Sequence, residues 1–225
     1  MYLHVQIGDS PILITVPHDG WIKIPGAPIR EEECKRDLGT LALALRCSEA
    51  LQTLGQQPTI IWQSLHRRHV DVNRYPHDQP YAMGFEDVYL AFHDRMDDEI
   101  KRILDKHSTI IHLDIHGFLG PPEWDLILGT HEHATSPRGI DIALAAGMNS
   151  RFSKILQRNY RVTFSPDKKN GIDHRYSGRW IVGRCGQQWG KRIDSIQCEF
   201  NRHMRQPLMT DELAEHLTET LAQLI

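Results

Sequence analysis

The spacing of apolar positions changes period along the chain. Residues 2–7 and 12–16 are short β-type runs on either side of Gly8-Asp9-Ser10-Pro11, a pattern that predicts a hairpin. Residues 31–54 carry a helical period through Leu38, Leu41, Leu45, Ala50 and Leu51, ending at Gly55. A buried strand follows at 59–62. Residues 64–85 have no period and are rich in Pro, Arg, His and Tyr. A loop of that length is usually functional or disordered, and its arginines and aromatics favour function.

A charged amphipathic helix is predicted at 86–106, a buried strand at 109–115 and a short strand at 124–128 ending at Gly129. A helix at 137–156 and a strand at 160–164 come next, then a polar loop at 165–178, a short helix at 179–189 and a strand at 194–200. Thr210 suits the N-cap of a last helix, with Asp211 and Glu212 in its first turn and Leu213, Leu217, Leu221 and Leu224 on its apolar face. Strands alternating with helices predict an α/β fold, a three-layer α/β/α sandwich around a mixed, mostly parallel sheet. With no repeat, low-complexity tract or linker, residues 1–225 read as one domain.

Composition narrows the partners. A net charge of -3 over 225 residues argues against nucleic acid. No apolar run approaches the ~20 residues of a membrane span, and residues 1–17 lack the marks of a signal peptide. Cys34, Cys47, Cys185 and Cys198 are scattered without a close pair, as in a reduced, cytoplasmic protein. The expected partner is a small anionic molecule; self-association is left open.

The polar residues that punctuate the apolar strands carry the chemistry. His18 follows Ile12-Leu13-Ile14-Thr15-Val16-Pro17, and His116 follows Ile110-Ile111-His112-Leu113-Asp114-Ile115. Strand ends are where α/β enzymes collect reactive groups. His112, Asp114 and His116 alternate, so they share one face. Asp114 then fits a role behind His116, fixing its tautomer; a buried His–Asp pair in the core is the plainer alternative. Glu31, Glu32 and Glu33 match a helix dipole, which leaves Asp37 as the better carboxylate ligand. Asn73 and Arg74 close an arginine-rich segment suited to gripping a carboxylate. Glu199, inside Ile196-Gln197-Cys198-Glu199-Phe200, is an acid in a strand that reads as buried, and burial would raise its pKa into the range of a general base. A carboxylate paired with an Arg such as Arg202 is the plainer alternative. Two His, a carboxylate ligand and a separate Glu are the parts of a mononuclear zinc hydrolase.

In this order the motifs resemble the N-formylglutamate amidohydrolase family, relatives of the zinc carboxypeptidases. The matching segments are Pro17-His18-Asp19-Gly20, Asp37-Leu38-Gly39-Thr40, Arg67 or Arg68 through Asn73-Arg74, Asp114-Ile115-His116 and Gln197-Cys198-Glu199. Tyr89 and His93 match a further pair. Tyr176-Ser177-Gly178 looks like the family's Tyr-Ser-Gly-Gly, with Arg179 in place of the second Gly. The resemblance implies a zinc-carboxypeptidase-like fold and one Zn2+ per chain, held by His18, Asp37 and His116. It implies amide hydrolysis with Glu199 as base and Arg68 polarising the carbonyl. Motif spacing favours Arg67, but Arg68 shares a face with Arg74 if the segment is extended. Asn73, Arg74, Tyr176 and Arg179 would contact substrate. The carboxypeptidase His-x-x-Glu is absent, since Trp21 stands three residues after His18; Glu33 is the reserve for Asp37. A non-catalytic binding protein gripping an anion through Arg68, Arg74 and Arg179, and a metal-dependent phosphoesterase, are the rival readings.

Overall fold

The computed structural model describes residues 2–31, 35–120, 123–167, 169, 172 and 174–225. Its strands are β1 (Leu3–Gln6), β2 (Ile12–Val16), β3 (Thr59–Gln63), β4 (Ile110–Phe118), β5 (Leu126–Gly129), β6 (Phe152–Ser153), β7 (Arg158–Asn159), β8 (Val162–Ser165) and β9 (Ile193–Asn201). Seven of them form one sheet in the order β1-β3-β2-β4-β9-β5-β8, while β6 and β7 pair separately. Within the large sheet β1–β3 and β5–β9 are antiparallel and the other four pairings are parallel.

Helices α1 (Thr40–Thr53), α3 (Ile140–Ser150) and α5 (Pro207–Ala222) cover one face of the sheet. Their Leu43, Leu144 and Leu217 pack on Ile14, Leu113 and Cys198. Helices α2 (Glu86–Leu104) and α4 (Trp180–Trp189) cover the other, where Phe92, Met96 and Ile181 meet Leu13, Ile61 and Ile193. This is the expected three-layer sandwich around a mixed, mostly parallel sheet. No helix of the described residues is long and apolar enough to cross a membrane.

Local expectations differ from the structure in four places. β1 and β2 are not a hairpin, because β3 lies between them. All five residues of β2 are buried, so it takes the interior place with parallel neighbours on both sides, and the turn at Asp9 and Ser10 bonds instead to the Gln57 carbonyl. The first helix starts at Thr40, not residue 31: Gly39 adopts φ 90, outside the helical region. The third helix ends at Ser150, and 152–159 form the β6–β7 ribbon. The last helix starts at Pro207, three residues before Thr210, whose hydroxyl donates back to the Gln206 carbonyl. Proline suits a first helical position because that N–H has no partner in any case.

The cap of α1 comes from Asp19, in the loop after β2. Its Oδ2 accepts from the backbone N–H groups of Gly39 (3.1 Å) and Leu41 (3.0 Å), and its Oδ1 accepts from Arg36. A carboxylate there satisfies orphan donors and opposes the positive end of the helix. Asp19→Ala is expected to lower unfolding stability by about 1–2 kcal/mol, and Asp19→Asn by less, in urea titrations of the metal-free chain.

Candidate active site

β4 and β9 run parallel in register, with Asp114 opposite Gln197 and His116 opposite Glu199. Alternation then divides each strand by chemistry. Ile111, Leu113, Ile115, Ile196, Cys198 and Phe200 enter the core under α1, α3 and α5. His112, Asp114, His116, Ser195, Gln197 and Glu199 take the opposite face and are all buried. Strand spacing of about 4.8 Å sets His116 and Glu199 side by side.

That buried polar face is hydrogen-bonded end to end. Ser195 Oγ lies 2.7 Å from His112 Nδ1, and His112 Nε2 lies 2.8 Å from Thr15 Oγ1. The Thr15 hydroxyl donates to Asp114 Oδ1 (2.6 Å), and Asp114 Oδ2 meets His116 Nε2 at 2.8 Å. Burial lowers the His112 pKa to about 4, so its ring is neutral and relays hydrogen bonds without charge. His116 is the opposite case. Burial disfavours its charge, yet Asp114 and then Asp37 raise its pKa well above the ordinary value.

His18 stands one residue past Pro17 at the end of β2, with Nε2 2.7 Å from Asp71 Oδ1. Asp71 is itself held by Arg67 (2.7 Å) and Arg30 (3.4 Å). Both imidazoles therefore turn Nε2 toward a buried carboxylate and Nδ1 toward each other, 3.0 Å apart. Asp37 Oδ2 completes a triangle, 3.3 Å from His18 Nδ1 and 3.4 Å from His116 Nδ1. Asp37 reaches it from the turn before α1 and also accepts from the Gly117 N–H at 3.1 Å. Burial works against its charge, but the two histidines hold it well below the usual carboxylate range.

The triangle fits a metal ion, and it is the one such group found among the described residues. A tetrahedral ion with bonds of roughly 2.0–2.1 Å has ligand–ligand edges of about 3.3–3.4 Å, close to those observed. Two ring nitrogens pointed at each other beside a carboxylate form a pocket that suits a cation between them. A carboxylate behind each ring is the usual support of a ligating histidine. Glu33, the reserve ligand, lies outside the described residues.

Glu199 borders the triangle and accepts from Gln197 Nε2 at 2.9 Å. Burial is the main cause of its pKa of about 7. Arg74 lines the same cavity with its Nε 3.7 Å from Asp71, and Tyr176 and Arg179 line it too. Tyr176 packs on Phe118, 5.6 Å between ring centroids.

One sequence assignment is corrected. Arg67, not Arg68, faces the cavity, with its guanidinium 3.6 Å from Asp37. The choice of Arg68 assumed an extended segment, but residues 67–69 turn, and Arg68 lies beside His66. Asn73 lines the cavity, but its amide is engaged on both ends. Nδ2 lies 3.1 Å from His116 and donates to Gln197, while Oδ1 accepts from the Ile181 N–H. Its amide thereby ties the segment to Gln197 of β9 and to the start of α4.

Two more residues carried no role in the sequence reading. Gln197 Oε1 accepts from the Arg179 N–H (3.1 Å), tying α4 to Glu199. Arg205 is buried and donates to the carbonyls of Leu38, Phe118 and Phe200. Those residues directly follow Asp37, lie two past His116 and directly follow Glu199. The guanidinium rests on Gly117, where a Cβ would come within 2.3 Å of it. In sequence Arg205 looks like an ordinary surface charge, and only its convergence on buried partners distinguishes it.

The cavity has a volume of about 1170 Å³. Nine lysines and arginines line it against Asp37, Glu199 and Asp211, a local excess of positive charge in a chain of net charge -3.

The family model for N-formylglutamate amidohydrolase matches residues 81–205, more than half of the chain. That segment holds His116, Tyr176, Arg179 and Glu199. No curated protein sequence matches. Two solved structures share the fold. An N-formylglutamate amidohydrolase from Ralstonia eutropha JMP134 superposes with a TM-score of 0.71 at 15% identity, covering 99% of this chain and 96% of the other. A gene product from Agrobacterium tumefaciens gives 0.69 at 16% identity, with the same coverage. Family and fold together define a hydrolase acting on carbon–nitrogen bonds. The chain belongs to the N-formylglutamate amidohydrolase family.

Replacing Asp114 by Asn presents an amide where His116 Nε2 needs an acceptor. Metal affinity, read by competition with a chromogenic chelator, is expected to fall about 10- to 100-fold.

Proposed function

We propose that this chain is a zinc-dependent amidohydrolase that cleaves the amide bond of a small, anionic N-acyl amino acid or peptide-like substrate. The observation that carries this reading is the triangle of His18, Asp37 and His116 beside the buried Glu199. His18, Asp37 and His116 would hold the ion. Bound there, zinc supplies Lewis acidity to a water and to the scissile carbonyl.

The protein groups do the rest. Glu199 accepts a proton from the attacking water and returns it to the amine nitrogen as the carbon–nitrogen bond breaks. Gln197 keeps its carboxylate aimed at that path. Arg67 offers a donor to the carbonyl oxygen as negative charge develops; a donor of this kind is worth roughly 3–4 kcal/mol of barrier. Arg74 and Arg179 orient the substrate through its free carboxylate. The basic lining supports an anionic substrate, and N-formyl-L-glutamate, suggested by the family, is the first compound to assay.

Purified chain is expected to contain about one zinc per molecule by plasma mass spectrometry, with His116→Ala losing it. No metal in either, even after zinc is added back, overturns the reading. Glu199→Gln is expected to keep its zinc and lose turnover by about 10²- to 10⁴-fold. Undiminished turnover in that variant removes Glu199 from the mechanism.

The pH dependence follows from the same residue. The base acts as carboxylate, so turnover falls as pH drops through its pKa. That value is about 7 without metal, and a neighbouring cation draws it lower. The acid limb of kcat against pH is therefore expected at or below 7.

A further inference from the structure

We infer that the preferred substrate carries a carboxylate on its acyl half as well as on its amine half: an amide of a dicarboxylic acid with an acidic amino acid. This deepens the amidohydrolase reading and rests on it.

The cavity straddles the edge of the sheet. One wall comes from the layer of α2 and α4 and holds Arg67, Arg74 and Arg179. The other comes from the layer of α1 and α5 and holds Arg202, in the turn that leads from β9 into α5. The metal triangle and Glu199 lie between the walls. Among the described residues, neither Arg179 nor Arg202 has a carboxylate partner. Each wall thus offers a cation to a ligand anion.

The second wall also offers hydrocarbon. Leu38 and Leu119 line the cavity, and they are 65% and 66% exposed. Two large apolar side chains left in solvent at a binding cavity suit a methylene stem. A formyl group has only a hydrogen on the acyl side and would leave this wall untouched. A four- or five-carbon acyl chain ending in a carboxylate would cover the leucines and set its charge toward Arg202. The volume agrees, since about 1170 Å³ exceeds the roughly 300–1,000 Å³ of most small-molecule pockets.

The reaction balances as an ordinary hydrolysis. Water adds its oxygen to the acyl carbon, the carbon–nitrogen bond breaks, and Glu199 passes the proton to nitrogen. The products are a free dicarboxylate and an amino acid bearing an ammonium group.

The test compares kcat/KM of the zinc-loaded chain on N-glutaryl-L-glutamate and N-pentanoyl-L-glutamate, which differ in the terminal group of one five-carbon acyl chain. N-formyl-L-glutamate is assayed alongside. The glutaryl compound is expected to exceed the pentanoyl compound at least tenfold, the scale of a charge-assisted pair. Arg202→Gln is expected to bring that ratio close to one. Arg202 is exposed and, among the described residues, its side chain makes no hydrogen bond, so the variant keeps its fold. A ratio near one in the unaltered chain, or a ratio that survives Arg202→Gln, overturns the inference while N-formyl-L-glutamate turnover upholds the amidohydrolase. If all three amides are inert with zinc bound, the amidohydrolase reading fails first and this one with it.

Discussion

The interaction on which the site depends is the hydrogen-bonded column from Ser195 through His112, Thr15 and Asp114 to His116. Polar groups buried in a sheet are costly unless they are paired. Here Ser195, His112, Thr15 and Asp114 each find a partner on a neighbouring strand, because β2, β4 and β9 are parallel and in register, and His116 is bonded to Asp114 two residues back on its own strand. The column can persist only if both carboxylate oxygens of Asp114 are engaged, one by Thr15 and one by His116. That fixes which His116 nitrogen faces inward and which faces the cavity. The strand register thus decides a tautomer, and the tautomer decides whether a lone pair is presented to a cation.

The third corner of the triangle comes from outside the sheet and must be held there by other means. Asp37 sits in a turn that is tied on three sides. Asp19 binds the amides of Gly39 and Leu41, Arg205 binds the Leu38 carbonyl, and Gly117 donates to the carboxylate itself. The lack of a Cβ at Gly117 also leaves room for the Arg205 guanidinium. Losing a helical turn before Thr40 is the local cost of this arrangement. An α1 running on from residue 31 would have drawn Asp37 into its first turns, away from the two imidazoles.

Much of this was legible in the chain. Runs such as Ile12-Leu13-Ile14 and alternation such as His112-x-Asp114-x-His116 report burial and face directly, so the strands and the layers could be read, while the grouping of His18, Asp37, His116 and Glu199 followed from the resemblance of the motifs to a family. The order of the strands could not. β1 and β2 follow one another closely, and only the burial of β2 on both faces explains why β3 intervenes. Arg67 and Arg68 differ by one position, and a turn rather than a strand reverses which of them faces the cavity. Asp71, Gln197 and Arg205 act through partners 53, 18 and 167 residues away, separations at which local pattern carries no information.

The two buried carboxylates that line the cavity make the last point. Asp37 and Glu199 are both buried, and burial alone would raise both pKa values. For Asp37, two imidazoles within hydrogen-bonding distance reverse that effect, and it stays ionised. For Glu199, the direct hydrogen bond comes from a neutral amide, its charged neighbours of both signs act only at a distance, and burial prevails at about 7. One acid is thereby kept as a permanent anion, fit to hold a cation. The other rests near neutrality, fit to take a proton and give it back. Environments that push paired acids apart in this way divide the labour of acid–base sites, and here imidazoles beside one carboxylate and a neutral amide beside the other make the division.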